Sequence, residues 1–142
     1  MKIRVLKESF SVCKVASYEG IDLDAPFVFT GSTDRERSLV CPSSRVPDAT
    51  LAREDGWRAF RIEGQLDFSL VGILARISSI LATEKIGIFA VSTFDTDYIL
   101  VKAENLERAL VALARAGYET GDGEKRLSQM HPGHLRENTR KT

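Results

Sequence analysis

Histidine is almost missing from this 142-residue chain: there are two, His131 and His134, both in a polar C-terminal stretch. Neither half therefore supplies an imidazole base for a nucleophilic mechanism. Cysteine is as scarce. Cys13 and Cys41 are too few for a disulfide framework, and a reduced, cytoplasmic protein is expected. No uninterrupted apolar run approaches the roughly 20 residues of a membrane span, and the opening MKIRVLKESF lacks the continuous apolar segment of a signal peptide. There is no excess of one charge. Twenty Lys and Arg balance twenty Asp and Glu, so no global field draws the chain to nucleic acid or anionic lipid. A Gly-rich phosphate loop with its lysine is also missing. What remains is ordinary globular composition, 43% hydrophobic and 28% charged. A chain of this length buries about two-thirds of its unfolded surface and can form a core without metal or disulfide.

The first half reads as short strands and turns. Phe10-Ser11-Val12-Cys13-Lys14-Val15 alternates apolar and polar, as a half-buried strand does. Ile3 to Leu6 alternates only in part. A turn-rich stretch comes next, with Gly20, Asp22, Asp24 and Pro26. Phe27–Phe29 and Leu39–Cys41 are expected to form a hairpin turned at Gly31-Ser32-Thr33-Asp34. Pro42 and Pro47 bracket a loop or one helical turn.

The second half is patterned more strongly. Trp57 to Ile62 alternates and predicts a strand. Leu70, Ile73, Leu74, Ile77, Ile80 and Leu81 recur at three-four spacing, predicting a helix over 70–84 with Ser69 as N-cap and Gly87 beyond its end. Ile88–Phe94 predicts a mostly buried strand, Asp95-Thr96 a turn, and Tyr98–Val101 a returning strand. Leu106, Ala109, Leu110, Leu113 and Ala114 mark a second amphipathic helix ending near Gly117, and Tyr118–Thr120 a last short strand. Residues 56–120 thus spell βαββαβ. Two split crossovers in that order give an α+β, ferredoxin-like unit, a four-stranded antiparallel sheet with both helices on one face. Residues 121–142 have little apolar content and are expected to be a disordered tail.

Three stretches make the pattern recognisable: Asp67-Phe68-Ser69-Leu70-Val71-Gly72-Ile73-Leu74, then Lys85 to Val101, then the helix after it. Together they resemble an ACT domain. The run Gly87-Ile88-Phe89-Ala90-Val91-Ser92-Thr93-Phe94-Asp95-Thr96-Asp97-Tyr98-Ile99-Leu100-Val101 is similar to the tandem-ACT subgroup that includes the CASTOR arginine sensors and is related to aspartate kinase regulatory modules. The resemblance covers about residues 60–120. It implies a C-terminal ACT domain over 56–120, a degenerate ACT-like partner over 1–55 with shortened helices, and a tail outside both. It also implies a regulatory module that binds an amino acid or similar small effector. The family's binding loop maps onto Phe68 to Ile73 and its partner surface onto Ser92 to Asp97. Pairing into a homodimer is expected as well, since ACT modules associate and exposed sheet edges favour it.

The residues at those two places suit that ligand class. A helix beginning near Ser69 presents the unpaired amides of its first turn to a carboxylate, around Leu70, Val71, Gly72 and Ile73. Gly72, lacking a side chain, lets another molecule approach the backbone. Asp95 and Asp97, with the Ser92 and Thr93 hydroxyls beside Phe94, offer acceptors to an ammonium or a basic side chain, Asp95 foremost. Each feature also has a plain structural use: Ser-x-x-Gly as capping, Asp-Thr-Asp as turn chemistry. A ligand role therefore rests on the resemblance.

Other features carry less. His131-Pro132-Gly133-His134 falls short of the three or four ligands a metal site needs. Cys13 and Cys41 sit in predicted strands as small core residues, Asp22 and Asp24 in a solvated turn, and Trp57, Phe60 and Phe89 at core spacing. No catalytic residue, metal or cofactor is expected. The alternatives are a non-binding ACT scaffold, an RNA-binding module on the same strand and helix order, and a small enzyme. Asp97–Lys102 offers one aromatic and no glycine-flanked pair, which argues against the RNA reading.

Overall fold

The computed structural model describes residues 1–63 and 72–121. Strands β1 (Lys2–Val15), β2 (Phe29–Ser32), β3 (Arg37–Pro42) and β4 (Ala52–Glu63) come first. Helix α1 (Ile73–Thr83), strands β5 (Phe89–Ser92) and β6 (Asp97–Lys102), and helix α2 (Leu106–Arg115) come after them. The chain divides into two compact units, Met1–Leu6 with Ala59–Thr142, and Lys7–Arg58. Strands β1 and β4 each pass from one unit into the other. Their cross-strand partners descend on one strand as they rise on the other, Arg4 with Glu63 and Ser11 with Asp55, so the pair is antiparallel.

The first unit is α+β with a ferredoxin-like layout, strands in the order β1-β4-β6-β5. Its core reflects two periods. Phe60 and Ile62 on β4, and Ile99 and Val101 on β6, alternate onto one face of the sheet. Ile77 and Leu81 of α1, and Leu106, Ala109, Leu110 and Leu113 of α2, recur at three-four spacing and cover that face. Ile3 of β1 joins the same cluster. An early strand therefore completes the sheet of the C-terminal unit, and the first six residues group there rather than with 7–55.

The second unit has the same sheet logic without helices, and its strands run β2-β3-β1-β4. Cys13, Val15, Leu39 and Cys41 form its core, packed by Tyr18, Ile21, Val28 and Val46 from connecting segments. A hairpin is common to both units. Phe29–Ser32, Arg37–Pro42 and the 3₁₀ turn Ser43–Arg45 recur sixty positions later (29 to 89, 37 to 97, 43 to 103) as Phe89–Ser92, Asp97–Lys102 and the 3₁₀ turn Ala103–Asn105. Registers match: Phe29 faces Val40 as Phe89 faces Leu100, and Ser32 faces Arg37 as Ser92 faces Asp97. The turns match too. Thr33 N donates to Glu36 O at 2.9 Å and Thr93 N to Thr96 O at 2.8 Å, and each threonine Oγ1 accepts the returning amide.

Several sequence expectations need correction. Helix α1 begins at Ile73, not Leu70, because Gly72 is its N-cap in a left-handed conformation, φ 83°; Ser69, Leu70 and Val71 lie outside the described residues. The first hairpin turns at Thr33–Glu36, and Gly31 and Ser32 are strand residues. Phe27, expected in a strand, has φ 65° and lies before it. β5 stops at Ser92 because the Thr93 amide and hydroxyl close the turn. Finally, Tyr118–Thr120 supplies one parallel bridge, Glu119 opposite Lys2, instead of a strand. Of the expected tail, 121–142, all but Gly121 lies outside the described residues.

Candidate ligand site

A cavity of about 240 Å³ opens in the first unit where α1 begins and α2 ends, lined by Met1, Gly72, Ile73, Arg76, Ala116, Gly117 and Tyr118. On the α1 side, Gly72 turns the chain into the helix. The first intrahelical bond runs from Arg76 N to Gly72 O at 2.8 Å, so the amides of Ile73, Leu74 and Ala75 precede it and mark the positive helix end. On the α2 side, Tyr118 N returns to Leu113 O at 3.0 Å and Gly117 N to Ala114 O at 3.1 Å. Gly117, at φ 101°, makes that closure possible. The negative end of α2 therefore borders the same space.

Among the described residues Arg76 is the one charged side chain in that lining. Its guanidinium carbon stands 5.6 Å from the Tyr118 ring centroid, and Nη2 donates to Ala116 O at 3.4 Å. The ring and the carbonyl hold the guanidinium at the cavity and leave donors of its planar fork for an incoming carboxylate. The arrangement suits an anionic group, at Arg76 and the start of α1.

Of the residues singled out from sequence, Gly72 and Ile73 line this cavity. Ser92, Thr93, Phe94, Asp95 and Asp97 do not, and are gathered in the β5–β6 turn. Ser92 Oγ donates to Asp97 Oδ1 at 2.6 Å, and Thr93 Oγ1 donates to Thr96 O at 3.1 Å. Thr96 Oγ1 donates to Ile62 O at 2.8 Å, which pins the turn to the end of β4. Asp95 is exposed, and Phe94 is 84% exposed. Met1, Arg76, Ala116, Gly117 and Tyr118 also line the cavity, and sequence reasoning did not single them out. The one usable signal was an arginine a turn beyond the helix-start glycine, and its aromatic partner lies some forty positions away.

Elsewhere, nucleophilic chemistry finds poor material. Burial pushes the Cys41 thiol up to about 11 and raises Cys13 as well, so both stay protonated near neutral pH. Ser11 is fully buried, shares a 2.7 Å hydrogen bond with the Ser43 hydroxyl and donates to Asp55, which Arg53 Nε contacts at 2.8 Å. Such a chain holds a hydroxyl in place but contains no imidazole. Among the described residues no group of three or more His, Cys, Asp or Glu is placed to hold a metal ion. None of the described helices is long and apolar enough to cross a membrane.

A sheet with two helices on one face, and a cavity at their facing ends, defines a ferredoxin-like module. The family profile of the ACT domain matches residues 52–115. The X-ray structure of protein Atu0741 from Agrobacterium tumefaciens is 35% identical, with TM-score 0.74, over 84% of this chain and 90% of that one. VC0802 from Vibrio cholerae, described as a possible transport protein, is 18% identical with TM-score 0.63, over 80% and 88%. The regulatory subunit of aspartate kinase from Thermus thermophilus is 12% identical with TM-score 0.59, over 82% and 97%. The last two likenesses are of fold. The segment 52–115, which contains α1, β5, β6 and α2, is thus similar to the ACT domain.

Proposed function

We propose that the protein is an amino-acid sensor: a regulatory module that binds a small zwitterionic effector and passes its occupancy to a partner, with no catalysis of its own. The observation that carries this reading is the convergence of the α1 start, the α2 end and Arg76 on one cavity. The effector's carboxylate sits at Arg76 and the amides just after Gly72, on the segment that also contains Ser69, Leu70 and Val71. Within one chain the β5–β6 turn does not line that cavity. We assign Ser92, Thr93, Phe94, Asp95 and Asp97 to the matching wall supplied by a second copy, with Asp95 meeting the effector's cationic group. A homodimer is then part of the site.

The hairpin repeated at a spacing of sixty supports reading the second unit as a reduced ACT-like partner of the first, a tandem arrangement. Two unpaired, buried cysteines suit a reducing, cytoplasmic setting. The test is a thermal-shift screen of the full chain against the twenty amino acids. One or a few should raise Tm, with about 2.7 kcal/mol of added stability at a hundred times Kd. Arg76→Gln should abolish the shift, and Asp95→Asn should weaken it without lowering the ligand-free Tm. No response to any amino acid would leave a non-binding scaffold.

A further inference from the structure

Two free thiols are buried in the second unit, Lys7–Arg58, every residue of which is described. The β1–β3 register sets Cys13 opposite Leu39 and Cys41 opposite Ser11, so the two cysteines are diagonal neighbours. Residues two apart on a strand point to one side of the sheet, which puts both thiols on the same face. Both belong to one core cluster with Val15 and Leu39, and they are 4% and 0% exposed.

Diagonal neighbours on antiparallel strands stand about 7–8 Å apart. A disulfide spans about 4.4–6.8 Å between Cα atoms, so this placement is wide for a direct bridge. One atom between the sulfurs, with two metal–sulfur bonds in place of one sulfur–sulfur bond, makes up the difference. The cover over the pair is Tyr18, Ile21, Val28 and Val46. Its one polar side-chain atom, the Tyr18 hydroxyl, donates to Ser38 O at 2.9 Å. The cluster therefore supplies two soft ligands, not the four of a structural zinc site. Charge points the same way. Burial raises both thiols, and Cys13 raises Cys41 further, which puts the two within electrostatic reach of each other. Against burial, Arg53 favours the charged form of both and Arg45 that of Cys41, while Asp55 disfavours that of Cys13. Two arginines and one carboxylate leave one positive charge beside the pair. Two thiolates around a monovalent cation carry one negative charge, which that surplus balances.

We propose that Cys13 and Cys41 form a two-coordinate site for a soft monovalent cation of the copper(I) class. Binding exchanges the two thiol protons for one cation, with no change of oxidation state. The cover is connecting chain rather than helix or strand. Such segments open at lower cost than core strands, which gives the ion its way in. The site belongs to the second unit and does not depend on the amino-acid reading.

The experiment titrates the full chain, reduced and anaerobic, with copper(I) against a chromogenic copper(I) chelator. The expected result is one copper retained per chain, and X-ray absorption of that copper should show two sulfur neighbours. Affinity should fall by roughly a hundredfold or more in Cys13→Ala and in Cys41→Val, each checked for an intact fold by circular dichroism. It should stay unchanged in H131Q/H134Q. Copper yielded wholly to the chelator, nitrogen or oxygen neighbours in the absorption spectrum, or equal affinity in either cysteine variant would overturn the proposal. So would loss of binding in H131Q/H134Q. The absorption readout uses the unaltered chain, so it decides the question even where a cysteine variant fails to fold.

Discussion

The two units share one hairpin and finish it differently. After the 3₁₀ turn Ala103–Asn105 the chain enters α2, and the sheet face carrying Ile99 and Val101 is covered by helices. After Ser43–Arg45 it meets Val46 and Pro47 and is back in a strand by Ala52. The corresponding face, Leu39 and Cys41, is covered by Tyr18, Ile21, Val28 and Val46. The hairpin does not dictate its cover. The next segment of chain does: an uninterrupted run of helix formers, Leu106 to Arg115, in one unit, and a short segment broken by proline in the other. Only the helical version creates opposed helix ends, so the candidate ligand cavity belongs to the first unit alone.

The contrast is tested most strongly at the cover itself. Leu110 is fully buried between α2 and the sheet. Leu110→Ala should cost about 2–5 kcal/mol in urea unfolding. The loop cover of the second unit should be less demanding. Tyr18→Phe removes one hydrogen bond, from the hydroxyl to Ser38 O at 2.9 Å, and should cost about 0.5–1.5 kcal/mol. A larger loss there than at Leu110 would break the contrast.

The same difference between the units explains how much was legible in the sequence. In the second half, three-four spacing and alternation mark α2, β6 and the core residues Phe60, Ile62, Ile99 and Val101, because each element is amphipathic over its whole length. The start of α1 was misplaced by three residues because Leu70 continues the apolar spacing. The N-terminal boundary is Gly72, whose conformation local periodicity does not encode. In the first half the strands are short and the cover is loop. Gly31 reads as a turn residue although it sits inside β2. The grouping of Met1–Leu6 with the C-terminal unit is a long-range pairing that no local pattern announces. Gly72 and Ile73, singled out through the resemblance, line the cavity. Arg76 and Tyr118 were not, since their meeting depends on how α1 and α2 pack.

Smaller effects sharpen the picture. The matched turns should respond alike: Thr33→Val and Thr93→Val each remove a hydroxyl that accepts the returning amide. Each should cost about 0.5–1.5 kcal/mol, read as a urea midpoint shift. Unequal losses would show that the turns, though alike in geometry, do different work. The smallest effect is alkaline. Cys41, whose counterpart in the first unit is Val101, has its thiol pushed up to about 11 by burial. The folded state thus holds that proton more tightly than the unfolded chain, with an ordinary thiol near ~8.5. The contribution is whole below the unfolded value and lost as pH rises through the folded one. Urea midpoints of the wild type should therefore fall more between about pH 8.5 and 11 than those of Cys41→Val. Parallel curves would contradict the assignment.

The central claim concerns where an amino acid binds. The most direct measurement is a two-dimensional amide NMR titration of the full chain with whichever amino acid raises Tm. Binding at the proposed cavity predicts saturable movement concentrated at Gly72–Arg76 and Ala116–Tyr118, abolished by Arg76→Gln. Saturation that leaves those amides still, or that survives Arg76→Gln with unchanged affinity, would contradict it.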